Sequence, residues 1–118
     1  MNPIQAKAFA KEWISAWNSH NLDRILSHYT DDFVIESPMA LKRLPETGGV
    51  VKGKEAVRSY WKIGLESIPN LNFELHEILI GIEGITIYYT NTATGKRTAE
   101  VIFLNDEGKA YKTYAFYN

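Results

Sequence analysis

The sequence predicts an α+β fold, with three N-terminal helices packed on a strongly curved, mostly antiparallel β-sheet to form a cone closed at one end. Apolar residues recur at helical spacing in three stretches before Pro69, and at a period of two in the stretches after it. Short polar turns separate those later stretches and leave no room for crossover connections, which implies an antiparallel meander.

The first helix has the clearest start. Asn2 is an N-cap, Pro3 suits the first helical position, and Gln5 completes a capping-box spacing. Ala6, Phe9, Ala10, Trp13, Ile14 and Trp17 then share one face. Asn18-Ser19-His20-Asn21 breaks the helix, and Asn21 caps a shorter one carrying Leu22, Ile25, Leu26 and Tyr29. Thr30-Asp31-Asp32 is expected to turn and Phe33 to Ser37 to form a strand. Met39 to Lys52, with Pro45 and Gly48-Gly49, is expected to be a loop. Gly53 opens a third helix with Val57, Tyr60, Trp61 and Leu65 as its apolar stripe, ending before Pro69. Four strands follow, expected over 71–80, 85–92, 96–104 and 110–117. In the first of them the alternation Leu71, Phe73, Leu75 slips to Ile78 and Ile80, which calls for a β-bulge near His76-Glu77.

Composition narrows the function. The 118 residues fit one domain, 1–118, and 45% hydrophobic with 23% charged residues argues against disorder. Thirteen Lys and Arg against fourteen Asp and Glu leave a formal charge of -1, which demotes nucleic-acid binding. The absence of cysteine removes disulfides, thiolate metal sites and cysteine nucleophiles. No apolar run approaches the ~18 residues that would cross a membrane. Lys7, Lys11 and Glu12 interrupt any secretory h-region. A cytoplasmic protein without nucleic-acid or membrane partners is expected. His20, His28 and His76 share no ligand spacing and no clustered carboxylates, so neither a metal nor another cofactor is expected. His28 reads as a favourable charge at a helix C-terminus.

The last two strands are apolar on both faces, with Val101-Ile102-Phe103-Leu104 and Tyr114 to Tyr117 running consecutively. A sheet wetted on one side should alternate instead. Either a second copy of the chain covers the outer face, giving a homodimer, or the sheet curls so far that both faces enter one core.

Three stretches carry a family resemblance. They are Trp17-Asn18-Ser19-His20-Asn21-Leu22-Asp23 at the first helix break, Tyr29-Thr30-Asp31-Asp32-Phe33-Val34-Ile35-Glu36-Ser37-Pro38, and Gly53-Lys54-Glu55-Ala56-Val57-Arg58-Ser59-Tyr60-Trp61. In this order, and followed by the four-strand tail, they resemble the nuclear transport factor 2-like superfamily, in particular its SnoaL-like and ketosteroid-isomerase-like bacterial members. The resemblance spans essentially the whole chain. It implies a cystatin-like α+β roll around a pocket, and a family of isomerases, dehydratases, cyclases, epoxide hydrolases and non-catalytic proteins.

Ketosteroid isomerases use an Asp base before the proline, a first-helix Tyr with a supporting third-helix Tyr, and a protonated Asp on the penultimate strand. The matching positions here are Ser37, Trp13, Trp61 and Glu100. Ser37 cannot act as a carboxylate base and an indole lacks a phenol's acidity, so the usual steroid-isomerase mechanism is not expected. Glu100 shares its strand face with Thr98 and Ile102. If that face points into the cone, desolvation raises its pKa and makes it a general acid or base. If it points outward, it is one more solvated charge after Lys96-Arg97. The residues alone favour the outward placement and the resemblance brings the two level, with Trp13 and Ser37 as polar orienters on the inward one. Trp13 serves equally as core.

The expected ligand is small and hydrophobic or aromatic, lined by Trp17, Phe33, Ile35, Met39, Tyr60, Trp61, Ile102, Ala115 and Tyr117. Lys42, Arg43, Lys52 and Lys54 bracket the long loop; they read first as solvated surface and second as an anion-attracting rim. The reading from another class is a non-catalytic association domain whose cone is filled by its own side chains.

Overall fold

A computed structural model describes residues 2–118. Helix α1 (Pro3–Ser19) begins with a reciprocal capping box: Gln5 N donates to Asn2 Oδ1 at 2.8 Å, and Asn2 N donates to Gln5 Oε1 at 3.1 Å. It ends at His20, which takes a left-handed conformation at φ 60. The imidazole Nε2 of His20 donates to the Leu71 carbonyl at 2.7 Å, tying the end of the helix to the approach of the sheet. Helix α2 (Leu22–Leu26) starts at Asn21, whose side chain accepts from Arg24 N.

Strand β1 runs over Tyr29–Glu36, so the expected turn at Thr30-Asp31-Asp32 is instead strand. Its pairing is irregular between Tyr29 and Val34, and Asp31 and Asp32 are exposed there. A bulged, solvated stretch tolerates the polar residues that suggest a turn.

The expected loop after Met39 also holds ordered elements. Helix α3 (Pro38–Arg43) is capped by Ser37, whose Oγ accepts from Met39 N at 3.1 Å, and it buries Ala40. A 3₁₀ turn (Pro45–Thr47) and strand β2 (Val50–Lys52) follow. With three residues β2 has no periodicity to read, yet Val51 is buried opposite Ile35 of β1. Helix α4 (Lys54–Ser67) follows Gly53 and stops before Pro69. The described residues thus hold four α-helices rather than three.

Strands β3 (Phe73–Ile80), β4 (Gly84–Asn91), β5 (Lys96–Leu104) and β6 (Ala110–Tyr117) form the expected meander. Leu71 lies just outside β3. The register of β3 against β4 shifts between Leu75 and Glu77, leaving His76 as the extra residue of a β-bulge. The six strands lie in the order β2-β1-β6-β5-β4-β3. Only β1 and β6 pair in parallel, so the sheet is mixed and open.

The two faces differ. The helices cover the concave face, where Phe33, Ile35, Ile85, Ile87, Thr98, Ile102 and Thr113 are buried. The convex face carries Tyr88, Val101, Phe103, Tyr114 and Phe116, with Val101 directly opposite Tyr114. Phe116 is 59% exposed, so the sheet does not roll both faces into one core.

Candidate active site

The concave face and helices α1, α3 and α4 enclose a cavity of about 580 Å³. The cone is therefore not filled by its own side chains. Trp13 and Trp17 come from α1, Ile35 and Ser37 from the end of β1, Met39 from α3, and Tyr60 and Trp61 from α4. The sheet supplies Tyr89, Thr98, Glu100, Thr113, Ala115 and Tyr117. Period-two alternation sets this: Thr98, Glu100 and Ile102 leave one face of β5, and Thr113, Ala115 and Tyr117 leave the matching face of β6.

Two residues expected in the lining stand behind it. Phe33 is fully buried, 4.4 Å from the Tyr29 ring and 5.7 Å from Trp61, and supports the wall from outside the cavity. Ile102 is fully buried in the core beyond Glu100. Both are drawn into the core because β-strand residues there meet packed side chains rather than space.

The aromatic wall is continuous. Trp17 lies edge-on to Trp61 at 4.9 Å, Trp13 stacks on Phe73 at 5.8 Å, and Phe73 packs on Tyr89 at 4.3 Å. Trp13 Nε1 donates to Tyr29 Oη at 2.8 Å. That bond uses the only donor of the indole, so Trp13 offers the cavity its ring surface rather than a hydrogen bond. Trp17 Nε1 is buried with no hydrogen-bond partner among the described residues.

Glu100 is the acid in the wall. Its Oε1 accepts from Tyr89 Oη at 3.1 Å. Burial pushes its titration up from 4.5 to about 7, and the Tyr89 bond opposes that rise. Glu100 as a residue keeps some accessible surface, and it lines the cavity. Protein surrounds it, and no cation forms an ion pair with it among the described residues. Burial and the charge of Glu100 together hold the phenols of Tyr29, Tyr89 and Tyr117 well above their ordinary range. Tyr60 is raised more mildly by burial; the Ser37 hydroxyl and the Arg43 charge pull it and Tyr117 back. The site therefore holds one carboxyl poised to exchange a proton near neutrality, four neutral phenols around it, and a floor of rings.

Ser37 is 6% exposed, and its Oγ already caps α3. Tyr89 and Asn91 were not singled out in the sequence; Thr98 and Thr113 were read only as face neighbours of Glu100 and Tyr117. Lys42, Arg43 and Lys96 also border the cavity. Lys52 and Lys54 do not, and Lys54 pairs with Asp31 at 3.4 Å. No group of three or more potential metal ligands occurs among the described residues, and no described helix is long and apolar enough to cross a membrane.

The sequence pattern of the SnoaL-like domain matches residues 10–117. A SnoaL-like protein of unknown function from Burkholderia thailandensis E264 superposes with a TM-score of 0.95 at 39% identity, over 99% of this chain and 97% of that one. A protein of unknown function with a cystatin-like fold, from Methylobium petroleophilum PM1, superposes at TM-score 0.78 and 15% identity, over 99% and 78%. TerC, co-crystallised with polyporic acid, superposes at 0.77 and 12% identity, over 97% and 92%. The latter two likenesses speak to the fold alone. No curated protein matches the chain in sequence. A pattern match over nearly the full length, joined to 39% identity with a SnoaL-like structure built on the same cone, establishes that the chain belongs to the SnoaL-like family.

Proposed function

We propose that this protein binds a small hydrophobic or aromatic molecule in its cone and catalyses proton transfer on it, as an isomerase, dehydratase or cyclase does. The observation that carries this reading is Glu100, a carboxyl titrating at about 7 in the wall of an aromatic cavity. A group with that midpoint populates both protonation states at physiological pH, so it can take a proton from one atom and return it to another. Tyr89 holds the carboxyl in place, and Ser37, Tyr60 and Tyr117 supply hydroxyls that orient polar atoms of the substrate. Trp13 and Trp17 give the rings a surface to lie on. TerC, with polyporic acid in its crystals, is a precedent for an aromatic ligand in a protein of this fold.

The same reading includes a homodimer in the cytoplasm, joined through the convex face. Phe103 and Tyr114 pack edge-to-face at 6.0 Å there, beside an exposed Phe116. A Phe116→Lys chain that sediments as a monomer, against a dimeric wild type, supports that interface; a monomeric wild type rejects it.

The test of the site is a small-molecule screen read by tryptophan quenching, followed by turnover of each hit in deuterated buffer. Glu100→Gln is expected to keep binding and lose solvent-hydrogen incorporation by about 10²–10⁴-fold. A library that quenches nothing rejects the pocket reading. Unchanged incorporation in Glu100→Gln removes Glu100 from the chemistry.

A further inference from the structure

Among the described residues five ion pairs tie the surface of the molecule together, and none uses a cation that borders the cavity. Glu12 takes Arg24 and His28, Asp31 takes Lys54, and Arg58 takes Asp23 and Glu55. Lys42 and Arg43 at the end of α3, and Lys96 at the start of β5, line the cavity and stand without a carboxylate partner among the described residues. Arg43 spends one donor on Ser67 Oγ at 3.0 Å, its only side-chain hydrogen bond among those residues. Its charge reaches the interior, where it eases ionisation of the Tyr60 and Tyr117 phenols.

Among the described residues two acids border the cavity, Glu100 and Glu36, and Glu36 turns its side chain away. Glu36 falls between Ile35 and Ser37, both buried, so its side chain leaves the opposite face of β1; there it supports the charge of Lys112. In a chain of net charge -1, three unpaired cations around one opening are a local concentration with a field directed into the cavity.

We infer that the molecule this cavity takes is an aromatic organic acid, its anionic group held at the mouth by Arg43 with Lys42 and Lys96, and its rings laid against Trp17 and Trp61. This rests on the pocket reading above and adds the charge of the ligand and its orientation. An anion at the mouth keeps part of its hydration, whereas one driven to the depth would be stripped of water beside the Glu100 carboxyl. The charge distribution therefore sends the neutral, reacting end of the substrate inward to Glu100 and leaves the acid group outside.

The experiment titrates the full chain with 2-naphthoate and with 2-naphthamide, its uncharged isostere, by tryptophan quenching. Wild type is expected to bind the naphthoate about tenfold more tightly, the scale of a charge-assisted hydrogen bond, and to lose that advantage as salt rises. Arg43→Gln should abolish the preference by weakening naphthoate far more than naphthamide, and Arg43→Lys should restore part of it. Lys42→Gln/Lys96→Gln provides the same comparison should Arg43→Gln fold poorly. Equal affinity for the two probes in wild type overturns the inference while the pocket reading stands. Quenching by neither probe overturns both.

Discussion

Tyr89 donates its phenolic proton to Glu100, Oη to Oε1, across 3.1 Å. The two are diagonal neighbours on adjacent strands, since Tyr89 faces Thr98 and Glu100 faces Ile87 in the β4–β5 register. Burial and this bond act on the carboxyl in opposite senses, and burial is the larger effect. Glu100 thus sits between two limits: fully desolvated it would never ionise near neutrality, and fully hydrogen-bonded it would never hold a proton there.

The first prediction is a stability that depends on pH. Glu100 titrates at about 7 in the folded chain against 4.5 in the unfolded one, so between these values the folded state holds a proton that the unfolded state has released. Stability therefore falls as pH rises through that window and levels off above it, with a total cost of about 3 kcal/mol. The phenols that feel the carboxyl's charge do not titrate in this range: those of Tyr29, Tyr60, Tyr89 and Tyr117 stay neutral. In urea unfolding at pH 5 and pH 8.5, Glu100→Gln should match wild type at the lower pH and exceed it at the higher. Parallel pH dependences for the two chains would place the titrating group elsewhere.

Tyr89→Phe isolates the opposing effect. Removing the donor withdraws stabilisation of the charged form, so the Glu100 midpoint should rise by about one pH unit, or ~1.4 kcal/mol. Carbon-13 NMR of labelled glutamate side chains reads that midpoint directly. A midpoint that stays put or falls would mean that the phenol does not support the carboxylate.

What the sequence made legible was whatever short-range chemistry decides. The α1 capping box needs only Asn2, Pro3 and Gln5. The facing ends of β5 and β6 follow from apolar runs stopped by Asn105-Asp106-Glu107-Gly108, and the bulge at His76 from a break in alternation. What escaped depends on long-range packing. The helix α3 and strand β2 exist because Ala40 and Val51 find buried places against the rest of the fold, although neither segment is long enough to show a period. The candidate site divides in the same way. Alternation put Glu100 on one face with Thr98 and Ile102 but left open whether that face points inward, and Tyr89 as its partner requires the register of β4 on β5, which no local pattern reveals. Trp13 illustrates the converse: its position was legible, but the commitment of its N–H to Tyr29 was not.

Asn18 ties the cavity's helical wall to its sheet. Its Oδ1 accepts from Phe73 N at 2.7 Å and its Nδ2 donates to Phe73 O at 3.0 Å, so the amide reads the backbone of β3 as a neighbouring strand would. Asn18→Ala leaves both backbone groups part-buried and unpaired, and should cost about 2–3 kcal/mol in urea unfolding. Asn18→Asp keeps the acceptor and loses the donor, placing a negative oxygen against the Phe73 carbonyl; it should be at least as destabilising. A change below about 0.5 kcal/mol in Asn18→Ala would mean that water replaces the amide at no cost.

Two glycine-to-alanine substitutions should move stability in opposite directions. At Gly84, the first residue of β4, an added Cβ would lie 2.1 Å from the Ile102 carbonyl oxygen and 3.0 Å from the Phe103 Cα. Both obstacles are backbone, so relief requires β4 to move off β5 next to the strand segment that carries Glu100. Gly84→Ala should therefore destabilise by about 3 kcal/mol or more, at the upper end of overpacking effects. Gly64 lies inside α4 with nothing within 4 Å of an added Cβ. There the methyl meets no obstacle and restricts the unfolded chain, so Gly64→Ala should stabilise by about 0.5–1 kcal/mol. Thermal melts of the two variants under one condition are sufficient. A Gly84→Ala chain as stable as wild type would show that β4 and β5 approach less closely than the structure places them.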